Sequence, residues 1–278
     1  MKKVNISQSL IKRIWDYVYG EGCGLELKEV DILKKYQRES SDAMKLGQYF
    51  EYLSTGQPLR DGSIPEAPVT SRGTLTTDAK RAQKQAENFN KMLAHKGIEI
   101  IDTGTVIQHD NLKIVLDAVV KTPEYEEAIM DLKFTGLLGD KWHEMGWTEE
   151  TYDYRHGLKI QPLFYKYVYW KAKGVYDVPF LYGIFSSKNE NIYDVWEVNL
   201  VNFEELMSRV EEQVRIAEGW VSEAMKESGA LVPRPDMVRC AKCPMFEDCM
   251  FREEVPTTKS VTIFSVRDEN REVQQAGN

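Results

Sequence analysis

Apolar positions recur at helical spacing from Leu10 to Tyr19 behind Ser7, which predicts a short helix over 7–19 leading into Cys23. Helical pattern dominates from about 27 to 56 and stops at Gly56. Residues 57–76 are rich in Pro, Gly, Ser and Thr and read as a loop, and 77–96 as a polar, strongly charged helix closed by Gly97. The period then changes. Residues 98–109, 112–120 and 127–134 are β-branched or alternating with short polar breaks, a meander able to form one sheet. Helical spacing returns over 160–173, a further strand pair is expected at 178–187 and 191–199, and a long helix starts at Asn202. That helix carries a capping-box pattern, Asn202 with Glu205, and a stripe of Phe203, Leu206, Val210, Val214, Ala217, Val221 and Ala224 that core packing explains. Beyond Glu253 the chain turns polar and is expected to be partly disordered, with Val261 to Val266 a candidate edge strand. The pattern predicts an α/β chain: one domain over 1–253 (a helical N-terminal region over 1–97, a sheet core over 98–200, a C-terminal helix and cysteine segment over 201–253) and a tail over 254–278.

With 278 residues, 42% of them hydrophobic, the chain is long enough for one substantial core. No apolar run approaches the roughly 20 residues that cross a bilayer, and the start, Met1-Lys2-Lys3-Val4-Asn5-Ile6-Ser7, lacks a secretory pattern. A cytoplasmic, reducing setting without membrane attachment is therefore expected. A net charge of −8 argues against a protein that coats nucleic acid nonspecifically, although local basic strips remain compatible with it. Two such strips are Lys80, Arg81, Lys84, Lys91 and Lys96, and Arg155, Lys159, Lys166, Lys171 and Lys173; both also read as solvated helix faces.

The chemistry lies in the middle of the chain. Asp117 interrupts the apolar run Ile114 to Val120, where a buried charge costs several kcal/mol unless it is paired or metal-bound. The next strand repeats the oddity in Ile129-Met130-Asp131-Leu132-Lys133-Phe134. Alternation puts Asp131 and Lys133 on one face and Leu132 on the other, so neighbouring strands would bring two carboxylates and an ammonium together. A divalent cation on Asp117 and Asp131 would polarise a phosphoryl oxygen and acidify a bound water, with Lys133 orienting that water or stabilising charge. A strand end for Asp117 and a plain salt bridge for Asp131 with Lys133 are the simpler readings. His109, His143 and His156 are isolated and read as surface or hydrogen-bonded groups. Tyr152, Tyr154, Arg155, Tyr165, Tyr167, Tyr169 and Trp170 suit either stacking on unpaired bases or core packing.

Cys240, Cys243 and Cys249 form a C-x2-C-x5-C cluster, and the fourth cysteine, Cys23, lies 217 residues before the first of them. This layout suits one four-cysteine metal site rather than a disulfide framework. Zinc is a natural occupant of four thiolates, yet a zinc ribbon would show two C-x-x-C pairs; the spacing leaves the metal open.

Two further segments join these residues: Leu46-Gly47-Gln48-Tyr49-Phe50-Glu51, a helical glycine followed four residues later by an acid, and Gln161-Pro162-Leu163-Phe164-Tyr165, which places Gln161 and Tyr165 on one helix face. Together with Asp117 and Asp131-x-Lys133 they resemble the motifs of the PD-(D/E)XK nuclease superfamily, in its RecB-like exonuclease branch. The cysteines resemble the iron-sulfur clasp of the CRISPR-associated exonucleases and the AddB-type helicase-nuclease subunits. Order and spacing match from Cys23 to Cys249. One departure is Glu51, where many relatives carry histidine, which leaves ligand number and metal preference open. The resemblance implies a restriction-endonuclease-like mixed sheet flanked by helices and Mg- or Mn-dependent exonucleolytic cleavage of DNA, at ends or in single strands. It implies Glu51, Asp117, Asp131 and the Leu132 carbonyl as metal ligands, Lys133 as catalytic, Gln161 and Tyr165 as positioning groups, and a structural 4Fe-4S cluster (alternatively structural Zn) on Cys23, Cys240, Cys243 and Cys249. A helicase or recombinase partner would supply unwinding, and phage or mobile-element recombination and repair is the setting it suggests. A catalytically silent DNA-binding or assembly module and a site-specific endonuclease stay open beside it; comparing linear with covalently closed DNA separates exonuclease from endonuclease.

Overall fold

The computed structural model describes residues 4–136, 157–226 and 231–255. His143, Tyr152, Tyr154, Arg155, His156 and the segment 261–266 lie outside the described residues, as does the Lys159 side chain. In chain order come α1 (Gln8–Val18), the short α2 (Gly24–Glu26) running into a π-helical stretch (Leu27–Ile32), α3 (Asp42–Thr55), α4 (Thr77–Lys96), β1 (Glu99–His109), β2 (Leu112–Lys121), β3 (Ala128–Thr135), α5 (Gly157–Lys173), β4 (Phe180–Ser186), β5 (Tyr193–Glu197), α6 (Phe203–Met225) and α7 (Met237–Cys240). Helices α1, α3 and α4 start where a hydroxyl caps the first turn: Ser7, Ser41 and Thr76 each accept a backbone N–H three residues on. Gly56 and Gly97 close α3 and α4 in left-handed conformation.

Two expectations are corrected. Helical pattern does not run through from 27 to 56: residues 33–41 are not helical. Lys34 takes φ 56° there, and Arg38 folds back onto Glu26 and Asp31, so ion pairs rather than a helical ladder hold the connection. Asn202 does not form a capping box. It sits in left-handed backbone (φ 57°) with no side-chain cap, because that conformation turns its side chain away from the first-turn N–H groups.

The five strands lie in the order β1-β2-β3-β4-β5, antiparallel except for β3 with β4. A parallel pair needs a crossover, and the segment containing α5 supplies it. The sheet separates two apolar layers. On one side α1, α5 and α6 pack through Ile11, Ile14, Phe164, Val168, Val210 and Val214; on the other α3 and α4 pack through Phe50, Ala82, Phe89 and Met92. The periodicity predicts the α/β class, and the mixed sheet flanked by helices is the arrangement that the resemblance implies. The polar helix α4 also grips the β4–β5 turn from beneath: buried Gln85 donates to the carbonyls of Ser186 (3.1 Å), Asn189 (3.3 Å) and Ile192 (3.1 Å).

Phe50 fixes α3 to the sheet. It is 1% exposed, and its ring lies 4.9 Å from that of Phe134 and 5.0 Å from that of Phe185. Phe50→Ala is expected to lower stability by about 3–5 kcal/mol, the usual cost of emptying a packed aromatic site. Urea unfolding of the two proteins measures it; a midpoint within error of the wild type would show that α3 is held elsewhere.

Candidate active site

Strands β2 and β3 pair over Ala118 with Met130, Val119 with Ile129 and Val120 with Ala128, and their backbone pairing stops there. Beyond that point β3 stays with β4, in register from Ile129 with Phe180 to Thr135 with Ser186. At the parting of the two strands a side chain takes over from the ladder: the Leu132 N–H donates to Asp117 Oδ2 at 2.8 Å. Strand β1 is also irregular here. Gly104, which falls across from Asp117 between the pairs Thr103–Ala118 and Thr105–Leu116, has φ 62°, a conformation that only glycine adopts freely.

The sequence-derived residues meet at this split. Asp131 is 2% exposed; its Oδ1 accepts from the Gln161 amide, and its Oδ2 forms an ion pair with Lys133. Beyond that ion pair the buried Oδ2 takes no hydrogen bond. Gln161 and Tyr165 stand one turn apart on α5, and the Tyr165 hydroxyl is hydrogen-bonded with Gln161. Glu51, on α3 next to the Phe50 anchor, is within electrostatic reach of Asp131 and Lys133. Leu132 points the other way, into the α3/α4 layer, where Gly183 makes room for it: a Cβ on Gly183 would come within 2.8 Å of Leu132 Cδ2.

Electrostatics here are dominated by crowded anions. Burial pushes the Asp117 carboxyl well up, and the Asp131 and Glu51 charges push it further. Glu51 is raised for the same reasons, burial first and Asp131 next. Burial would draw the Lys133 ammonium down, but Asp131, Asp117 and Glu51 outweigh it, so Lys133 is raised and stays charged. The Tyr165 hydroxyl is held protonated by burial and by the two aspartates.

A second cluster lies at the other end of the chain's path. Cys23, Cys240, Cys243 and Cys249 all line one pocket, together with Leu25, Glu26, Arg239, Met245 and Phe246. Two of the sulfurs accept backbone N–H groups, Cys23 from Arg234 at 3.5 Å and Cys240 from Asp236 at 3.4 Å. Burial pushes the Cys243 thiol up to about 11, with Glu26, Cys240 and Cys23 adding to it. Protein contacts already join the two ends: Gly24 N–H donates to the Val232 carbonyl (3.0 Å) and Val232 N–H to the Tyr17 hydroxyl (3.1 Å). Among the described residues neither cluster is gathered tightly enough to hold a metal ion as it stands; the aspartates are engaged by Lys133, Gln161 and the Leu132 N–H.

No protein-family model matches the chain, and no curated protein matches it in sequence. Its fold is that of a solved structure. A presumed exonuclease from Eubacterium rectale superposes with a TM-score of 0.60 at 19% identity, over 94% of this chain and 91% of that one, a likeness of fold. The protein SSO0001 aligns over 90% of this chain and 87% of its own, but a TM-score of 0.35 at 11% identity carries no argument.

Other sequence candidates are distributed differently. Tyr167 and Tyr169 are core residues, 5% and 3% exposed. His109 is half-exposed at the β1–β2 turn, with Asp110 at 3.5 Å. Five residues of the basic strips are held by carboxylates: Arg81 pairs with Asp78, Lys84 with Glu87, Lys96 with Asp194, Lys166 with Asp177 and Lys171 with Glu211. Two residues at the site escape sequence reasoning. Tyr182, in register with Asp131 on β4, is fully buried with Lys133 5.7 Å from its ring centre. Arg60, in the loop after α3, sends its field onto Glu51 and Tyr165. A tyrosine within the apolar run Phe180 to Ser186 is the only signal for the first, and nothing local marks the second. No helix among the described residues is long and apolar enough to cross a membrane.

An acid whose folded-state pKa lies above its unfolded value binds its proton more tightly when folded, so its ionised form costs stability at neutral pH. Asp117→Asn keeps an oxygen for the Leu132 N–H and removes the charge. In chelator at pH 7 it is expected to raise the thermal midpoint by roughly 2–4 °C; a lower midpoint would mean that the fold needs the anion.

Proposed function

We propose that the chain is a divalent-metal-dependent deoxyribonuclease of the RecB-like PD-(D/E)XK type, acting as an exonuclease on linear or single-stranded DNA. The observation that carries this reading is the meeting of Glu51, Asp117, Asp131 and Lys133 at the β2/β3 split, with Gln161 and Tyr165 on the facing helix. A fold shared with a presumed exonuclease agrees with it.

The donor set fits a divalent cation: hard oxygen ligands, mutually repelling and partly buried, one of them with an oxygen that meets only Lys133. Mg or Mn held by Glu51, Asp117, Asp131 and the Leu132 carbonyl would neutralise phosphoryl charge and acidify a bound water. The chain's own groups do the rest. Lys133 stays an ammonium, so it stabilises negative charge developing on the phosphate and orients the attacking water through an N–H donor. Gln161 fixes the Asp131 carboxylate by donating to Oδ1, and Tyr165 stands one turn further along the same helix. Tyr182 walls the site behind Lys133 and keeps bulk water from that side. Any duplex unwinding falls to a helicase or recombinase partner.

For the second site we propose a structural 4Fe-4S cluster on Cys23, Cys240, Cys243 and Cys249, fastening the C-terminal segment to the N-terminal helix. Backbone N–H donors to Cys23 and Cys240 Sγ suit sulfurs that carry negative charge. A cluster there would compensate the burial that otherwise holds Cys243 protonated.

The nuclease reading is tested on anaerobically purified protein by nucleotide release from end-labelled linear DNA, with and without Mn. Lys133→Ala is expected to lower the metal-dependent rate by about 10²–10³-fold, the range for loss of a preorganised charge-stabilising donor. A folded wild type that releases nothing from single- or double-stranded DNA would overturn the reading in favour of a binding or assembly module. For the clasp, elemental analysis is expected to give iron and sulfide at about four each per chain, lost in Cys23→Ser together with several degrees of thermal stability. Zinc at one per chain would replace the cluster with the alternative.

A further inference from the structure

The loop that follows α3 lies against β1, the strand that pairs with β2. Gln57 sits on Gly104, whose missing side chain is what admits it: a Cβ there would come within 2.2 Å of Gln57 Cδ. The Gln57 amide oxygen also takes the Thr103 hydroxyl at 3.5 Å. Because Gly104 lies across from Asp117, Gln57 brings the loop onto the strand beside the acidic cluster. Three residues on, the chain turns sharply, with Leu59 N–H on the Ser63 carbonyl and Gly62 N–H on the Leu59 carbonyl, both at 2.8 Å. Arg60 and Asp61 are at this turn. Asp61 is spent on Ser63, accepting from its N–H at 3.0 Å and its hydroxyl at 2.6 Å. The carboxylate nearest in sequence is thus turned to Ser63. Arg60 is exposed, and among the described residues no ion pair with it is found.

We infer that Arg60 grips a phosphate of the DNA strand next to the acidic cluster, as a positioning residue that sets the strand's register over Lys133. This rests on the nuclease reading of the site. A guanidinium is suited to such a grip, since it stays charged and its fork of N–H donors matches two phosphate oxygens. A strand approaching three carboxylates meets repulsion, and in a chain of net charge −8 an unspent cation at the rim offsets it locally. Along α4, Arg81, Lys84 and Lys96 are poorly suited, since carboxylates already hold them. The charge of Arg60 acts weakly on both Glu51 and Tyr165, favouring their ionised forms.

The test is binding of a labelled single-stranded oligonucleotide by fluorescence anisotropy over a salt series, using the full chain in the Lys133→Ala background with Mn so that the DNA is not consumed. Arg60→Gln is expected to weaken binding about threefold to tenfold and to reduce the slope of log K against log salt by about 0.7, the contribution of one phosphate contact to a single strand. Arg60→Lys should restore the slope, which a purely structural role for the arginine would not predict. Lys84→Gln, which removes a charge already paired with Glu87 at 2.9 Å, serves as the control and should leave both quantities unchanged. In the active background Arg60→Gln should raise KM more than it lowers kcat. Equal affinities and slopes for Arg60→Gln and Lys84→Gln overturn the inference, as does the absence of measurable DNA binding. A wild type that binds through Arg60 and cleaves nothing sinks the nuclease reading alone.

Discussion

The constraint on which this structure turns is the burial of mutually repelling carboxylates inside a β-sheet. Asp117 and Asp131 come from neighbouring strands and Glu51 from the helix above, while Lys133 is the one cation in ion-pair contact with them among the described residues. Such a cluster opposes folding, since desolvation and repulsion both disfavour the ionised forms. The fold contains it by opening the sheet at that point: β2 and β3 stop pairing, and the freed Leu132 N–H turns to the Asp117 carboxylate. Where backbone pairing is lost, buried carboxylates gather beside an ammonium.

The rest of the chain supports that cluster. Phe50 fixes the helix carrying Glu51, Gly183 leaves room for Leu132 on the face opposite Asp131 and Lys133, and α5 brings Gln161 against Asp131. Gln85 and Asn88 hold the β4–β5 turn by its carbonyls, stiffening the strand that accompanies β3 past the split. Far along the sequence, the four cysteines converge on one pocket where Gly24 and Val232 already join the two ends of the chain. Fastening residues more than 200 positions apart restricts the unfolded chain as well as the folded one, which is where a metal clasp would act most strongly.

The sequence by itself determined most of the elements and marked the charged residues buried within them. Apart from the stretch 27–56, helical and alternating periodicities placed the main helices and strands within a few residues, because burial on one face imposes its period on the composition. Asp117, Asp131 and Lys133 stood out because charges inside apolar strand runs have a cost, whereas Glu51, Gln161 and Tyr165 were marked only by resemblance to the nuclease motifs. Tertiary structure decided what no local period records. The parting of β2 from β3, the partner roles of Tyr182 and Arg60, the pairing of the basic residues of α4, and the break at 33–41 all depend on contacts between residues distant in sequence. Local pattern reports which face of an element is buried; which groups share a field in that burial is settled only when the elements pack.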